Sequence, residues 1–489
     1  MKRGTTLIIL AFILLTAAIT GCGSKMDASK ARSRGLINRG YIVPAEEVRV
    51  AEYLNYYEQR FPEPVDTPLA LDVRLGNPQV ASSGGEVWVQ IGLQAVSAAK
   101  EERSPLNLAL VLDTSGSMAS VDKLTYLKNS LSVFLHSLRP DDIVAVVVYN
   151  DDAQVLQPAR PVGDGAWIQE TVHSLQAHGS TNLYAGLMAG FTEVEKHFDV
   201  RRNNRVLLLT DGIANKGVTD PGQIARDARA WNDRGIYLST IGLGVDLDDE
   251  LLHILAQQGH GAYHFIDSPQ EMEKVFQEEA DGLVEKVARD ITVAIETESG
   301  SLDYLVGYEG NPPSAGAQVE LRDMGKGDSQ VLLARFQVGI LYGPTPLARI
   351  TLTYTDVFGQ RQRQESRVVT IVPGNPYEDP LADIEVRRNV TIVRSALTLR
   401  QIDNLFKRGR YAEAMDLARQ MEAELREMAE LTGDSQMVED ADLFRRYQMT
   451  LSQALAAVAT PTPRVNPISP QPQRWGVTPT PSLPLITVE

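Results

Sequence analysis

Two periods of apolar residues alternate along this chain. In the middle third, nearly continuous apolar runs are separated by amphipathic stretches. The runs are "LALVL" from Leu108, "IVAVVVY" from Ile143, "RVLLLT" from Arg205, "IYLSTIGLG" from Ile236 and "AYHFI" from Ala262. Between them, apolar residues at helical spacing predict helices over Leu124–Leu138, Leu183–His197, Gly222–Asp233 and Asp249–Gln258, with another from Ser268 to about Val287. Strands apolar on both sides, alternating with helices, indicate a mainly parallel, doubly wound sheet covered on both faces, here assigned to residues 106–288.

On either side the period drops to two. "LALDVRL" and "EVWVQIGLQAV" precede the α/β block, within residues 65–105. "DITVAIET", "AQVELRD", "SQVLLARFQV", "LARITLTYTD" and "SRVVTIV" follow it, within 289–375. Short alternating strands with Gly and Pro turns predict a β-sandwich. Neither flank can cover its own strands, so the two flanks should pair across the α/β block, which is then an insertion in the sandwich. Residues 380–458 read as three amphipathic helices, and "GRYAEAMDLA" resembles one helix of a tetratricopeptide-type hairpin, but one such unit is no repeat array and reads as an ordinary helical hairpin. Residues 459–489 are rich in Pro and Thr and should be extended or disordered. Near the start, Val48, Ala51, Leu54, Tyr57 and Phe61 lie at helical spacing after Pro44, whereas residues 23–40 are polar and read as a tether. Residues 22–64 thus form a tether and N-terminal helix.

Composition narrows the function. A net charge of −16 argues against nucleic acid and against electrostatic docking to anionic lipid heads. The single cysteine, Cys22, excludes an intrachain disulfide. Lys2 and Arg3 precede "LIILAFILLTAAI", an apolar core followed by small residues, which has the form of a secretory signal over residues 1–21. "ITGC" resembles the lipobox of bacterial lipoproteins, in which the cysteine is lipidated and becomes the new N-terminus. The expected product is exported and tied to the cell membrane through lipid on Cys22, on the extracytoplasmic side.

The strand from Leu108 ends in an unusual way: Asp113 is followed by Thr114, Ser115, Gly116 and Ser117. In open α/β sheets, ligands bind at the carboxyl ends of the strands. A hard divalent cation wants oxygen donors, and Mg2+ wants them in octahedral array with some water retained. Alternate residues Asp113, Ser115 and Ser117 can point to one side of a loop. Thr181 in "GSTNL" and Asp211 in "TDG" stand at the same edge, the second closing another apolar strand.

"DTSGS", then Thr181, then "TDG", in this order and spacing, resemble the metal-ion-dependent adhesion site of von Willebrand factor type A domains. The resemblance implies that Ser115, Ser117 and Thr181 bind Mg2+ directly, with Asp113 and Asp211 acting directly or through water, and that an acidic side chain of a protein partner completes the shell. Mn2+ and Ca2+ share the preference for oxygen and stay open as alternatives. The flanks are more loosely similar to those of bacterial von Willebrand-type lipoproteins.

Other features carry less. His253, His260 and His264 lack a ligand motif, and "DLDDE" at 246–250 reads as a helix N-cap with an acidic first turn. No G-x-S-x-G elbow accompanies the serines. Asn389 opens an N-x-T sequon without further support. Three readings follow: a cell-surface module gripping an acidic group through Mg2+, an envelope scaffold working through its C-terminal helices, and a Mg2+-dependent hydrolase. The hydrolase lacks a free general base, so the chain is expected not to be an enzyme.

Overall fold

The computed structural model describes residues 28–459 except 60, 98–104, 308–311, 358, 376–378 and, within 267–285, all but Met272, Val275 and Phe276. Cys22, the signal segment, the Pro/Thr-rich tail from residue 460 and most of the helix expected from Ser268 lie outside these residues.

The chain enters through helix α1 (Ala28–Asn38), a 3-10 turn (Ala45–Glu47) and α2 (Val50–Tyr56). Strands β1 (Leu69–Leu75), β2 (Gln79–Ala81) and β3 (Gly85–Ala95) follow. The α/β block then contributes β4 (Leu106–Asp113), β5 (Ile143–Tyr149), β6 (Ala153–Pro161), β7 (Asn203–Thr210), β8 (Tyr237–Leu243) and β9 (His260–Ile266). Its helices are α3 (Lys123–His136), α4 (Ala166–Ser174), α5 (Leu183–Glu195), α6 (Pro221–Asn232) and α7 (Asp249–Gln258). After it come β10 (Lys286–Thr297), β11 (Ser301–Leu305), β12 (Gly316–Leu321), β13 (Met324–Gly325), β14 (Ser329–Val338), β15 (Thr345–Asp356) and β16 (Arg361–Gly374). Three long helices, α8 (Ile384–Lys407), α9 (Tyr411–Thr432) and α10 (Ser435–Ala459), complete the described chain.

The sandwich is assembled from both sides of the α/β block. One sheet has the order β1-β3-β14-β11, and the other β12-β10-β15-β16-β2 with β13 beside β10. Strand β3 pairs with β14 over ten residues from Ser329↔Gln94 to Val338↔Gly85. The α/β block is therefore an insertion, and its two ends meet in one apolar core containing Val89, Ile91, Val293 and Ile350.

The inserted sheet has the order β6-β5-β4-β7-β8-β9, parallel throughout except for β6. Connections run outward from β4 in one direction to β5 and β6, then return to β7 and continue the other way. Order thus reverses between β4 and β7, where such sheets open a crevice at their carboxyl ends. Strand β6 escaped the apolar pattern because it is an edge strand: its residues are at most half-buried and it carries two prolines.

Residues 23–40 are not all a tether. Residues 28–38 form α1, with Ala28 and Ala31 buried in the core of the inserted domain and Leu36 and Ile37 in that of the helical region. Its polar side chains find partners far away in sequence. Lys30 donates to Asp440 at 2.6 Å, and Arg32 grips both carboxylate oxygens of Glu47 at 2.8 and 3.1 Å. The helical region is likewise no separate unit. Val43 N–H donates to the Tyr447 hydroxyl at 2.9 Å, Arg400 to the Val48 carbonyl at 2.8 Å, and Val390, Leu399 and Leu451 share a core with Leu54 and Leu333.

A charged seam locks these N-terminal elements to the inserted domain. Arg49 donates to Glu52 at 2.6 Å and to Asp249 at 2.7 Å, and the Tyr263 hydroxyl donates to the other Asp249 oxygen at 2.7 Å. Ser29 N–H donates to Glu52 at 3.0 Å. Burial opposes ionisation of Glu52, but the Arg49 charge, with help from His253, outweighs it and holds the carboxyl down at about 2.

Candidate metal centre

The crevice at the order reversal is lined by the oxygens singled out in the sequence. Asp113 is the last residue of β4 and fully buried. One of its oxygens accepts from Ser115 N–H at 2.8 Å, the other from the Thr210 hydroxyl at 2.8 Å. The carboxylate thus pins its own loop to the end of β7. Gly116 N–H donates to the Gly179 carbonyl at 3.0 Å and His178 N–H to the Thr114 carbonyl at 2.8 Å, so the loops after β4 and before α5 are tied together.

Ser115 and Ser117 present their hydroxyl oxygens 3.0 Å apart, and Ser117 donates to Asp211 Oδ1 at 2.7 Å. Thr181 comes from the third loop. Its backbone is held by Asn215 at both N–H and carbonyl, at 2.9 and 3.1 Å, just before the helix cap Asn182. Among the described residues its hydroxyl has no hydrogen-bond partner. A Cβ on Gly212 would stand 3.8 Å from Thr181 Oγ1 and 3.9 Å from Ser117 Oγ, so both hydroxyls border the one space that the missing side chain leaves free. All five residues come together here.

Adjacent ligands of an octahedral Mg2+ with bonds of about 2.1 Å stand about 3.0 Å apart, which matches the Ser115–Ser117 separation. Three neutral hydroxyls and two carboxylates are a hard-donor set. The residues therefore fit a divalent cation. Ser115, Ser117 and Thr181 are the donors that would hold it, with the two aspartates close behind.

Electrostatics favour an incoming positive charge. Burial, and after it the Asp211 charge, push the Asp113 carboxyl up to about 6. Two carboxylates at close quarters disfavour each other's ionisation, and a cation relieves both. A residue that the sequence reading passed over shares this work. Lys123, the first residue of α3, extends its ammonium to Asp211 Oδ2 at 2.7 Å, with 9% of its side chain exposed.

Residues 107–278 match the model of the von Willebrand factor type A domain. The inserted block is such a domain. Beyond it, YfbK of Escherichia coli is 31% identical over 275 residues, covering 55% of this chain and 48% of that protein. Human inter-alpha-trypsin inhibitor heavy chain H3 is 28% identical over 202 residues, covering 40% of this chain and 22% of that one. The chain spans about half the length of YfbK and about a fifth of the heavy chain. Among solved structures, a von Willebrand factor type A protein from Catenulispora acidiphila shares the fold over 73% of this chain and 88% of its own, with a TM-score of 0.53 at 19% identity. That share exceeds the type A domain, so the likeness in fold takes in part of the surrounding architecture.

The remaining candidates sit elsewhere. His264 is buried in β9, His253 faces Glu52 in the seam, and His260 is exposed at the start of β9. Asp248 caps α7, accepting from Leu251 N–H at 3.0 Å. Asn389 is fully buried and donates to Gln59 and Gln90, so the sequon is closed to modification in the folded chain. Among the described residues, no helix is long and apolar enough to cross a membrane.

Proposed function

We propose that this chain is an exported, lipid-anchored binding protein whose type A domain grips an acidic side chain of a protein partner through a divalent cation, Mg2+ being the favoured ion. Type A domains commonly mediate protein–protein contacts through such a site. The observation that carries the reading is the set of convergent oxygens at the switch point, two hydroxyls 3.0 Å apart and a third with no partner among the described residues, backed by two buried carboxylates.

Binding is favoured over hydrolysis because the carboxylates are already engaged. Asp113 holds Ser115 N–H and Thr210, and Asp211 holds Ser117 and Lys123. Neither is free to act as a general base. The scaffold reading loses ground because the helices α8 to α10 bury apolar side chains against the chain's own N-terminal segment. Anchoring through Cys22 rests on the lipobox pattern alone, and Cys22→Ala should leave unprocessed or released protein; a variant that is processed and partitions into detergent like wild type would refute it.

The test of the reading is capture from solubilised envelope with Mg2+ or with a chelator. Wild type should retain a partner only with Mg2+, and Asp113→Ala should retain none in either condition. Capture indifferent to the chelator would remove the basis for the proposal.

A further inference from the structure

The metal centre contains a cation of its own. Lys123 Nζ lies 2.7 Å from Asp211 Oδ2, in a pair with side-chain exposures of 9% and 0%. The opposite oxygen of the same carboxylate takes the Ser117 hydroxyl at 2.7 Å. Asp211 is thus divided between a fixed ammonium on its outer side and the candidate donors on its inner side. Asp113 is held instead by neutral donors, the Ser115 amide and the Thr210 hydroxyl among them.

We infer that Lys123 is a built-in counter-charge that limits how tightly the site holds its divalent cation and so reserves positive charge for the partner's carboxylate. The inference rests on the metal-dependent reading above and deepens it.

The charge count makes the argument. Two carboxylates and one ammonium leave the protein side of the site with one net negative charge. A divalent cation then brings the loaded site to one net positive charge. That excess, buried between low-dielectric walls, is satisfied by one incoming carboxylate and by no neutral group as well. Without the ammonium, the two aspartates alone would neutralise the cation, binding it more tightly and leaving little reason to recruit an acid. Lys123 also occupies Asp211 Oδ2, which keeps that oxygen from turning toward the donors.

The placement is costly for the fold, which points to a role in the site. The Lys123 ammonium is largely taken out of water. Asp246, in the loop after β8, is a second acid within reach of its field: burial pushes that carboxyl up, and the Lys123 charge is the foremost of those pulling it down. Lys123 therefore sits among acids from two loops, one of which belongs to the metal centre. Lys123 acts through the Asp211 carboxylate as a positioning residue.

The experiment is calorimetric titration of Mg2+ into the full chain as wild type, Lys123→Gln and Lys123→Arg. Glutamine keeps a hydrogen-bond donor for Asp211 and removes only the charge; arginine keeps the charge. Lys123→Gln should bind Mg2+ about tenfold more tightly, the scale on which groups behind metal ligands act, whereas Lys123→Arg should stay near wild type. Thermal unfolding with and without Mg2+ gives a second readout that tolerates a less stable variant: the upward shift in midpoint should be larger for Lys123→Gln. Unchanged or weaker Mg2+ binding by Lys123→Gln, with wild type binding normally, overturns the role of Lys123 and leaves the metal reading standing. No Mg2+ binding by any folded variant overturns both.

Discussion

Two buried clusters of charge in this protein are built from similar numbers of acids and do different work. In the seam, Asp249 spends one oxygen on Arg49 and the other on Tyr263, and Glu52 spends its oxygens on Arg49 and Ser29 N–H. Guanidinium groups, always charged and fork-shaped, match carboxylates pair by pair. At the metal centre the oxygens face one another, a serine pair, a threonine hydroxyl with no partner among the described residues and two carboxylates, of which Asp211 is paired with Lys123. The seam's carboxylates are met by the chain's own cations, although Arg49 Nη2 and His253 Nδ1 find no hydrogen-bond partner among the described residues, and the metal centre is left short of a cation. A buried charge cluster that closes on itself is architecture, and one with donors still facing each other is waiting for something from outside.

The sharpest way to break that comparison is to open the seam. Asp249→Ala leaves the buried Arg49 with Glu52 as its remaining carboxylate and takes the acceptor from the Tyr263 hydroxyl, and removing one member of a buried pair typically costs about 3–5 kcal/mol. Urea unfolding of the chain should show a loss of this order, while Mg2+ affinity of the folded protein stays at the wild-type value. A loss under about 1 kcal/mol would show that the seam is not the fastener it looks like; a large fall in Mg2+ affinity would show that the two clusters are coupled.

The converse experiment closes the metal centre. A cation that binds only the folded state stabilises it by about 2.7 kcal/mol at a hundred times its dissociation constant. Wild type should gain this much in Mg2+. Asp113→Ala should gain nothing, since it loses both a charge and the acceptor that pins Ser115 N–H and Thr210. Equal gains in the two proteins would place the bound ion somewhere other than the end of β4.

The difference between the clusters is also a difference in legibility. The metal centre could be read because each loop carries a local signature: an apolar strand that stops at Asp113 or Asp211, or a hydroxyl just ahead of the helix α5. Each contributing loop is set by its own strand, so the sheet brings them together. The seam could not be read. Arg32 and Arg49 look like solvated charges in a polar N-terminal stretch until Asp249, two hundred residues on, is brought beside them. Helix α1 was invisible for the same reason, because its apolar side is little more than Ala28, Ala31, Leu36 and Ile37, and its polar side is satisfied only by tertiary partners. Lys123 belongs with the seam: its partner Asp211 lies 88 residues on, and nothing local in the sequence marks the pair.

The finest test asks whether charge or coordination dominates at the metal centre, and Thr181 is the residue that separates them. Its amide and carbonyl are both held by Asn215, and its hydroxyl has no partner among the described residues. Thr181→Ala therefore removes one neutral donor without freeing the loop, and stability in the absence of metal should change by no more than about 0.5 kcal/mol. Loss of that donor should weaken Mg2+ binding by about tenfold, or about 1.4 kcal/mol, well short of the loss in Asp113→Ala. Partner capture should fall further than Mg2+ affinity does, because the cation would then hold its outer ligand with a distorted shell. Calorimetry on the two variants side by side reads the first expectation, and capture at saturating Mg2+ reads the second. If Thr181→Ala matches Asp113→Ala in both, the hydroxyls and carboxylates act as one unit. The division of the site into neutral donors that hold the ion and buried charges that attract it would then fail.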